Sequence, residues 1–182
     1  MRILVAITGA SGLEYGRRLV EVLKHDSSVK LSVIVSEGAR EVAKAEGTEL
    51  PKADYAENDF SCPYASGSNP PDALIVIPCS LKSLGEIANG VGDNLINRAA
   101  EVVLKERKKL VLVVRDTPYS LITIKNMERI TLAGGVILPA CPGFYGKPKK
   151  VDDLIDFIVA RVLDQIGVKH KLSKRWGNEN IS

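Results

Sequence analysis

The sequence predicts an α/β fold in which a doubly wound, mostly parallel sheet lies between layers of helices. This is a Rossmann-like or flavodoxin-like three-layer sandwich. Apolar runs alternate along the chain with segments of helical periodicity. Polar or glycine-rich segments follow the apolar runs that end at Ile7, Val35, Ile77, Val114 and Leu138. Because such sheets bind ligands at the carboxyl ends of their strands, these segments predict one composite site.

The first half of the chain predicts three strands. Residues 3–7 form a continuous apolar run, typical of a strand buried on both faces. A helix follows, with one face formed by Gly12, Gly16, Leu19, Val20 and Leu23. Its two glycines indicate that it lies close to the sheet. Further strands are predicted at 31–35 and 73–77, with a short helix ending near Ala45 and a polar active-site loop at 46–72.

The second half continues the alternation of helices and strands. Asp93 is expected to cap one of these helices. The predicted elements are a helix from near Ser80, a helix to about Glu106, a strand at 110–114, a helix at 121–133, a strand at 135–139 and a helix from near Asp152. We interpret residues 1–182 as a single domain with a polar C-terminal tail from about residue 169.

Composition narrows the class of protein. The 182 residues are 45% hydrophobic and 26% charged, with a net charge of +3, which is ordinary for a globular protein. Aromatic residues make up 5%, too few for a base-stacking surface, so we expect no nucleic-acid partner. No apolar run has the length of a membrane span, and no secretory leader is expected. Three cysteines without metal-ligand spacing and two histidines favour a cytoplasmic protein without a metal.

The turn Gly9-Ala10-Ser11-Gly12 comes between the first strand and the first helix. Its backbone N–H groups are predicted to face an anion at the start of the helix, where the helix dipole favours negative charge. The turn matches neither G-x-G-x-x-G nor the Walker loop. The alternative is a tight turn in which Ser11 only caps the helix.

A second polar segment, Ser80-Leu81-Lys82-Ser83, follows the third predicted strand. Ser80 and Ser83 carry hydroxyls that suit a phosphate or a ring edge, although helix capping by Ser80 alone also explains them. The preceding Cys79 is interpreted as a packed small residue, because no histidine near it in sequence would activate it.

Charged residues near predicted element ends supply the remaining candidates. Arg98 and Lys105 are seven residues apart on one helical face, with Glu101 between them, so the residues alone favour a surface ion-pair ladder over a ligand site. Arg115 and Asp116 follow a buried strand, where they suit an anion clamp and an acid–base group, or an ion pair closing the strand.

The chain resembles the UbiX-type flavin prenyltransferases over nearly its whole length. The shared segments are TGASG, ENDF, ASGS, PCS, NRAAEVVLKER, LVLVVRDTP, LPACPGFY, VDDLIDFIVARVLDQIG and RWG. The resemblance implies transfer of a dimethylallyl group from dimethylallyl monophosphate to reduced FMN, without a metal. It further implies a product used by UbiD-type decarboxylases and assembly as a homo-dodecamer.

The resemblance also implies roles for individual residues. FMN contacts are expected from Gly9, Ala10, Ser11, Ser36, Ser80, Leu81, Lys82, Ser83 and Arg115. The prenyl phosphate is expected to meet Arg98, Lys105, Tyr145 and Arg161. Catalytic roles are expected for Ser11, Glu46, Lys105, Asp116 and Trp176. Asp116 stands where the family often has glutamate, and Phe60 where some members have tryptophan.

Three other functions are compatible with parts of the pattern. An FMN-dependent cysteine decarboxylase would share the fold, but no histidine lies between His25 and His170 to serve as its active-site histidine. In a nicotinamide-dependent oxidoreductase, Glu37 would contact the ribose of the cofactor. This sequence lacks the G-x-G-x-x-G motif that such an enzyme needs. A non-catalytic flavin-binding protein would need none of the prenyl-phosphate residues.

Overall fold

Five parallel strands form the central sheet of the computed structural model, which describes residues 1–173, 175 and 177. The strands are β1 (Arg2–Ile7), β2 (Lys30–Val35), β3 (Ala73–Cys79), β4 (Lys109–Val114) and β5 (Val136–Ile137). Their order in the sheet is β2-β1-β3-β4-β5. The chain reverses its direction of winding between β1 and β3, and such a switch point opens a crevice at the carboxyl ends of the two strands.

Within the described part of the chain, six helices cover the two faces of the sheet. They are α1 (Leu13–Lys24), α2 (Glu37–Glu46), α3 (Leu81–Ala88), α4 (Leu95–Lys105), α5 (Leu121–Leu132) and α6 (Val151–Ile166). A 3₁₀ turn at Pro63–Ala65 lies within the long loop before β3. None of the helices among the described residues is long and apolar enough to cross a membrane.

The predicted alternation of strands and helices is confirmed, with three local differences. β3 continues past Ile77 to Cys79, and β5 is only two residues long instead of the five predicted. Asn94, not Asp93, caps α4, because its side chain accepts the backbone N–H of Asn97. Asp93 instead accepts a hydrogen bond from the Asn97 side chain.

The sheet is buried on both faces, as the continuous apolar runs predict. Ile3, Val5 and Ile7 of β1 pack in the core layer that contains α1 and α6. Leu4 and Ala6 of the same strand point to the opposite layer, which contains α3 and α4. Alternate side chains of a strand face opposite sides, so one apolar run supplies both cores.

Helix α1 lies against the sheet at Gly16. A Cβ atom built on Gly16 would overlap the carbonyl oxygen of Ile77 and lie 3.0 Å from Cγ1 of Ile7. No larger side chain fits there without displacing the helix. The close approach predicted from the glycines of this helix is therefore confirmed, and it brings the start of α1 next to the end of β3.

Cys79 is expected to resist alkylation in the native protein. Burial raises the pKa of its thiol to about 12, so the thiolate fraction at pH 8 is about 10⁻⁴. Cys141 is exposed, whereas Cys62 is also buried. Timed labelling with a maleimide followed by peptide mass spectrometry should modify Cys141 first and Cys79 only after unfolding. Rapid native labelling of Cys79 would contradict this packing.

Candidate active site

A cleft of about 390 Å³ opens at the switch point between β1 and β3. Its lining residues are Gly9, Ser36, Glu37, Gly38, Glu57, Ser80, Leu81, Lys82, Ser83, Glu86, Asn94 and Ile96. Six of these were predicted from the sequence as flavin-binding residues. The cleft therefore brings together the polar segments that follow β1, β2 and β3.

Two helices begin at this cleft with a serine at the cap. Ser36 accepts the backbone N–H of Ala39 at 3.1 Å, at the start of α2. Ser80 accepts the N–H of Ser83 at 3.1 Å, and its hydroxyl donates to that of Ser83, also at 3.1 Å. Capping by Ser80 is thus confirmed. It also leaves the positive ends of two helix dipoles facing one cleft, an arrangement that favours a phosphate.

The turn after β1 touches the first turn of α2. A Cβ atom on Gly9 would lie 2.8 Å from the carbonyl carbon of Gly38 and 2.9 Å from its oxygen. These neighbours are backbone atoms, which cannot swing aside as a side chain would. Only glycine at position 9 permits this contact, so the two phosphate-facing segments form one continuous wall.

Thr8 is a structural residue of the site that the sequence analysis did not identify. Its buried hydroxyl donates to the carbonyl oxygen of Pro78 at 2.8 Å and accepts the N–H of Ser80 at 2.9 Å. These bonds hold the end of β1 against the start of α3. Thr8 could have been identified from the sequence, because a polar residue at the end of a buried apolar run needs hydrogen-bond partners.

The residue that caps α1 is Gly12 and not Ser11. Gly12 occupies the N-cap position with φ of 91°, so the interpretation of Ser11 as the helix cap is wrong. Ser11 is exposed, and Ala10 beside it is buried. Arg115 lies next to this turn, with its Cγ atom 3.9 Å from the position of a Cβ on Gly12.

Arg115 carries an unused donor. Its Nε atom is buried and has no hydrogen-bond acceptor among the described residues. A buried donor of this kind is costly unless a ligand or water supplies the acceptor, so the position suits a ligand oxygen or ring nitrogen. Asp116 does not pair with Arg115; its carboxylate accepts the N–H of Thr117 at 2.7 Å. The alternative of an ion pair closing the strand is wrong.

Arg98 and Lys105 share a face of α4, as their spacing predicts. Arg98 donates from Nε to the carbonyl oxygen of Ala65 at 3.1 Å and pairs with Glu101 at 2.7 Å. Lys105 lies beside Gly67 and pairs with Glu106 at 2.6 Å. The predicted ladder through Glu101 is therefore only half formed. Both cations face the loop at 65–67.

Tyr145 lines a second cavity, of about 310 Å³, and Arg161 lies on α6, the helix that forms part of its wall. The Tyr145 ring packs edge-to-face on Phe157 of α6, with ring centres 5.7 Å apart. Both rings line this cavity, which also includes Leu172 and Ser173 of the C-terminal segment. Arg161 lies one helical turn after Phe157 and pairs with Asp164 at 2.7 Å.

The predicted residues thus fall into three groups. The predicted FMN contacts lie around the cleft and the turn after β1. Arg98 and Lys105 of α4 face residues 65–67. Tyr145 and Arg161 lie at α6 and the cavity beside it. Lys105 is ten residues from Leu95 at the start of α4, about 15 Å along the helix axis. Glu46 ends α2, nine residues from its start at the cleft and about 14 Å away along the axis. Trp176 lies outside the described residues.

Carboxylates form another part of the cleft that sequence reasoning did not assign to it. Glu57 and Glu86 line the cleft, and Lys82 pairs with Glu86 at 3.6 Å, at i,i+4 spacing on α3. Asn97 donates to Glu86 at 2.9 Å from its buried side chain. No spacing rule links Glu57 or Asn97 to Glu86. They meet because α4 packs beside α3, and because the N–H of Leu95 binds the carbonyl oxygen of Glu57 at 2.7 Å.

Residues 1–163 match the model of the Flavoprotein family. The curated flavin prenyltransferase UbiX of Methanocaldococcus jannaschii is 47% identical to this chain, across 97% of the chain and 99% of that protein. This chain belongs to the UbiX family of flavin prenyltransferases. The family identified from the sequence is therefore confirmed.

Two solved structures are similar to this UbiX-family chain throughout. The crystal structure of AnUbiX in complex with FMN and dimethylallyl pyrophosphate has a TM-score of 0.91 and 41% identity, covering 97% of each chain. A dodecameric FMN-dependent UbiX-like decarboxylase from Escherichia coli O157:H7 also has a TM-score of 0.91, at 37% identity, covering 98% of this chain and all of that one. The predicted three-layer α/β fold is confirmed.

Proposed function

We propose that this protein transfers a dimethylallyl group from dimethylallyl monophosphate to reduced FMN. The observation that carries the proposal is the cleft at the β1/β3 switch point. There, the Gly9–Gly38 contact and the starts of α2 and α3 form an anion site from residues that match the family's flavin-binding pattern. Membership of the UbiX family supplies the reaction type.

The described residues fit FMN. Its phosphate suits the helix starts at Ser36 and Ser80, where backbone N–H groups and serine hydroxyls surround the cleft. The unpartnered Nε of Arg115 offers one more donor beside the turn at Gly12. The reduced flavin, when bound, supplies the ring nitrogen and neighbouring ring carbon to which the prenyl group is joined.

The second group of residues acts on the prenyl phosphate. Breaking the allylic C–O bond leaves its electron pair, and therefore growing negative charge, on the phosphate. We assign Arg98, Lys105 and Arg161 to stabilise that charge, since fixed cations are most effective where charge develops. Tyr145 holds the same phosphate by its hydroxyl.

We assign proton handling to three residues for which the family resemblance implies a catalytic role. The exposed hydroxyl of Ser11 and the carboxylate of Glu46 are assigned to relay a proton to the departing phosphate. Asp116 is assigned to remove a proton in the second, ring-forming step. Its carboxylate is held by the Thr117 N–H at 2.7 Å. Trp176 is assigned to close the site beside the allyl group, where an aromatic face favours a cation.

The separation of the three groups within one chain supports a site completed by other copies. We propose a homo-dodecamer, like the similar protein from Escherichia coli, in which α4 cations of one subunit serve the cleft of another. Large apolar side chains are exposed on α5 and from Phe144 to the first residue of α6, typical of a buried interface: Leu121, Ile122, Leu132, Phe144 and Val151. We propose that this enzyme acts in the cytoplasm and passes its product to a UbiD-type decarboxylase.

Release of inorganic phosphate tests the reaction type. Under anaerobic conditions, phosphate release from dimethylallyl monophosphate should require both the protein and reduced FMN, and EDTA should not reduce it. Phosphate release that is independent of flavin would contradict transfer to FMN. Flavin binding without phosphate release would favour a flavin-binding protein, and carbon dioxide release from a C-terminal cysteine peptide would favour a cysteine decarboxylase.

A further inference from the structure

The carboxylate of Asp164 near the end of α6 has three partners among the residues that the structure describes. Its Oδ2 atom lies 2.7 Å from Nη1 of Arg161, one turn earlier on the helix. Its Oδ1 atom lies 2.7 Å from Nη2 of Arg175 and 3.1 Å from Nε2 of His170. One carboxylate thus joins a proposed phosphate-binding arginine to two residues of the C-terminal segment.

The two oxygens of Asp164 divide these contacts. Among the described residues, one oxygen binds the guanidinium of Arg161, on the helix, while the other binds His170 and Arg175 of the segment that follows. Charge-assisted hydrogen bonds of this length restrict both partners strongly. Removing the negative charge would therefore release Arg161 and the C-terminal segment together.

Burial makes these contacts matter more than ordinary surface pairs. The side chain of Asp164 is 20% exposed and that of His170 only 3%. Burial opposes ionisation of Asp164, but hydrogen bonds from His170 and Arg175 outweigh it and hold the pKa of the carboxyl below its usual range. The group is therefore charged at neutral pH. A partly buried charge needs the partners it has, since it has lost much of its hydration.

The C-terminal segment forms part of the wall of the cavity at Tyr145. Leu172 and Ser173 line this cavity together with Tyr145 and Phe157. His170 is the nearest anchor before Leu172, and the N–H of Leu172 binds Nδ1 of His170 at 3.4 Å. The position of this wall therefore depends on the Asp164 contacts.

We propose that Asp164 is a positioning residue for the prenyl-phosphate subsite. It holds the Arg161 guanidinium in place and docks residues 168–173 along the cavity of Tyr145. The inference rests on the proposed function for the identity of the substrate, but the docking of the segment does not. Without Asp164, the Arg161 side chain and the C-terminal segment must become ordered when the prenyl phosphate binds. The affinity for the prenyl phosphate therefore falls, while flavin binding is retained.

The chain offers a matched control on the same helix. Asp156 of α6 also pairs with an arginine at 2.7 Å, Arg18 of α1, and its side chain is 22% exposed. It has no contact with the C-terminal segment among the described residues. Asp164→Asn and Asp156→Asn therefore each remove one carboxylate charge of equal burial, but only the first releases the subsite.

Two measurements on the full-length protein test the proposal. In Asp164→Asn, KM for dimethylallyl monophosphate should rise about tenfold, with kcat and the FMN Kd changed less than about twofold. Hydrogen–deuterium exchange of residues 168–173 should accelerate in the same variant. Asp156→Asn should change neither, and Asp164→Glu should restore slow exchange. Unchanged exchange in Asp164→Asn, or equal changes in Asp156→Asn, would overturn the proposal.

A variant that leaves the Asp164 carboxylate in place tests the proposal if Asp164→Asn does not fold. Arg175→Gln removes one exposed partner and should accelerate exchange of residues 168–173 with a smaller rise in KM. Absence of faster exchange in Arg175→Gln would equally overturn the proposal. If the wild type binds no prenyl phosphate but exchange still accelerates in the variants, the proposed function fails, and with it the substrate role of Asp164.

Discussion

Replacing Lys105 with alanine is expected to slow prenyl transfer by about 10²–10³-fold, the usual loss when one donor to a developing charge is removed. Lys105 lies about 15 Å along α4 from the end that reaches the flavin cleft of its own chain. FMN binding should change little, because we assign Lys105 to the prenyl phosphate and not to the flavin. Single-turnover kinetics with saturating reduced FMN would measure the rate, and flavin fluorescence titration would measure the affinity.

Lys30→Ala is the matched control for Lys105→Ala. Lys30 is an exposed lysine at the amino end of β2, on the edge of the sheet opposite the cleft. Its removal lowers the net charge equally, so both the rate and the FMN affinity should stay at wild-type values. If Lys105→Ala weakened FMN binding as much as it slowed transfer, its assignment to the leaving phosphate would be wrong.

Gly9→Ala is expected to impair flavin binding itself. The added methyl group would meet backbone atoms of Gly38 at 2.8 and 2.9 Å, so the turn after β1 and the start of α2 must separate. Overpacking of this kind costs about 1–3 kcal/mol, which corresponds to a loss of about 5- to 150-fold in affinity. Fluorescence titration of FMN into the purified variant would measure it.

Gly85→Ala provides the control for the glycine substitution. A Cβ atom on Gly85 would meet only Nδ2 of Asn126, at an ordinary distance of 3.5 Å. Alanine also favours the helix in which it lies, so FMN affinity should be unchanged and the melting temperature the same or higher. Wild-type FMN affinity in Gly9→Ala would show that the Gly9–Gly38 contact does not form the flavin site.

Local sequence rules predicted the elements well because the chain obeys them closely. The apolar run at 3–7 is a buried strand, and Ser80 caps α3 as its position suggests. One failure is a case in which two local choices were nearly equal. Asn94 and Asp93 are both good capping residues, and the structure uses Asn94.

The candidate site was predictable only where strand ends converge. Parallel strands bring the segments after β1, β2 and β3 to one edge, so Gly9, Ser36 and Ser80 meet as expected. The contact of Asn97 with Glu86 depends on how α3 and α4 pack. The contact of Thr8 with Pro78 depends on the irregular end of β3 beside β1. Periodicity specifies neither. Likewise, the assembly that would unite Lys105 with the cleft depends on more than one chain.

The mass of the flavin after turnover tests the central proposal most directly. Purified protein is incubated anaerobically with reduced FMN and dimethylallyl monophosphate, without metal, and the extracted flavin is analysed by mass spectrometry. We expect a flavin heavier than FMN by one five-carbon prenyl unit, and none when the protein is omitted. Unmodified FMN as the sole flavin, with both ligands shown to be bound, would contradict a flavin prenyltransferase.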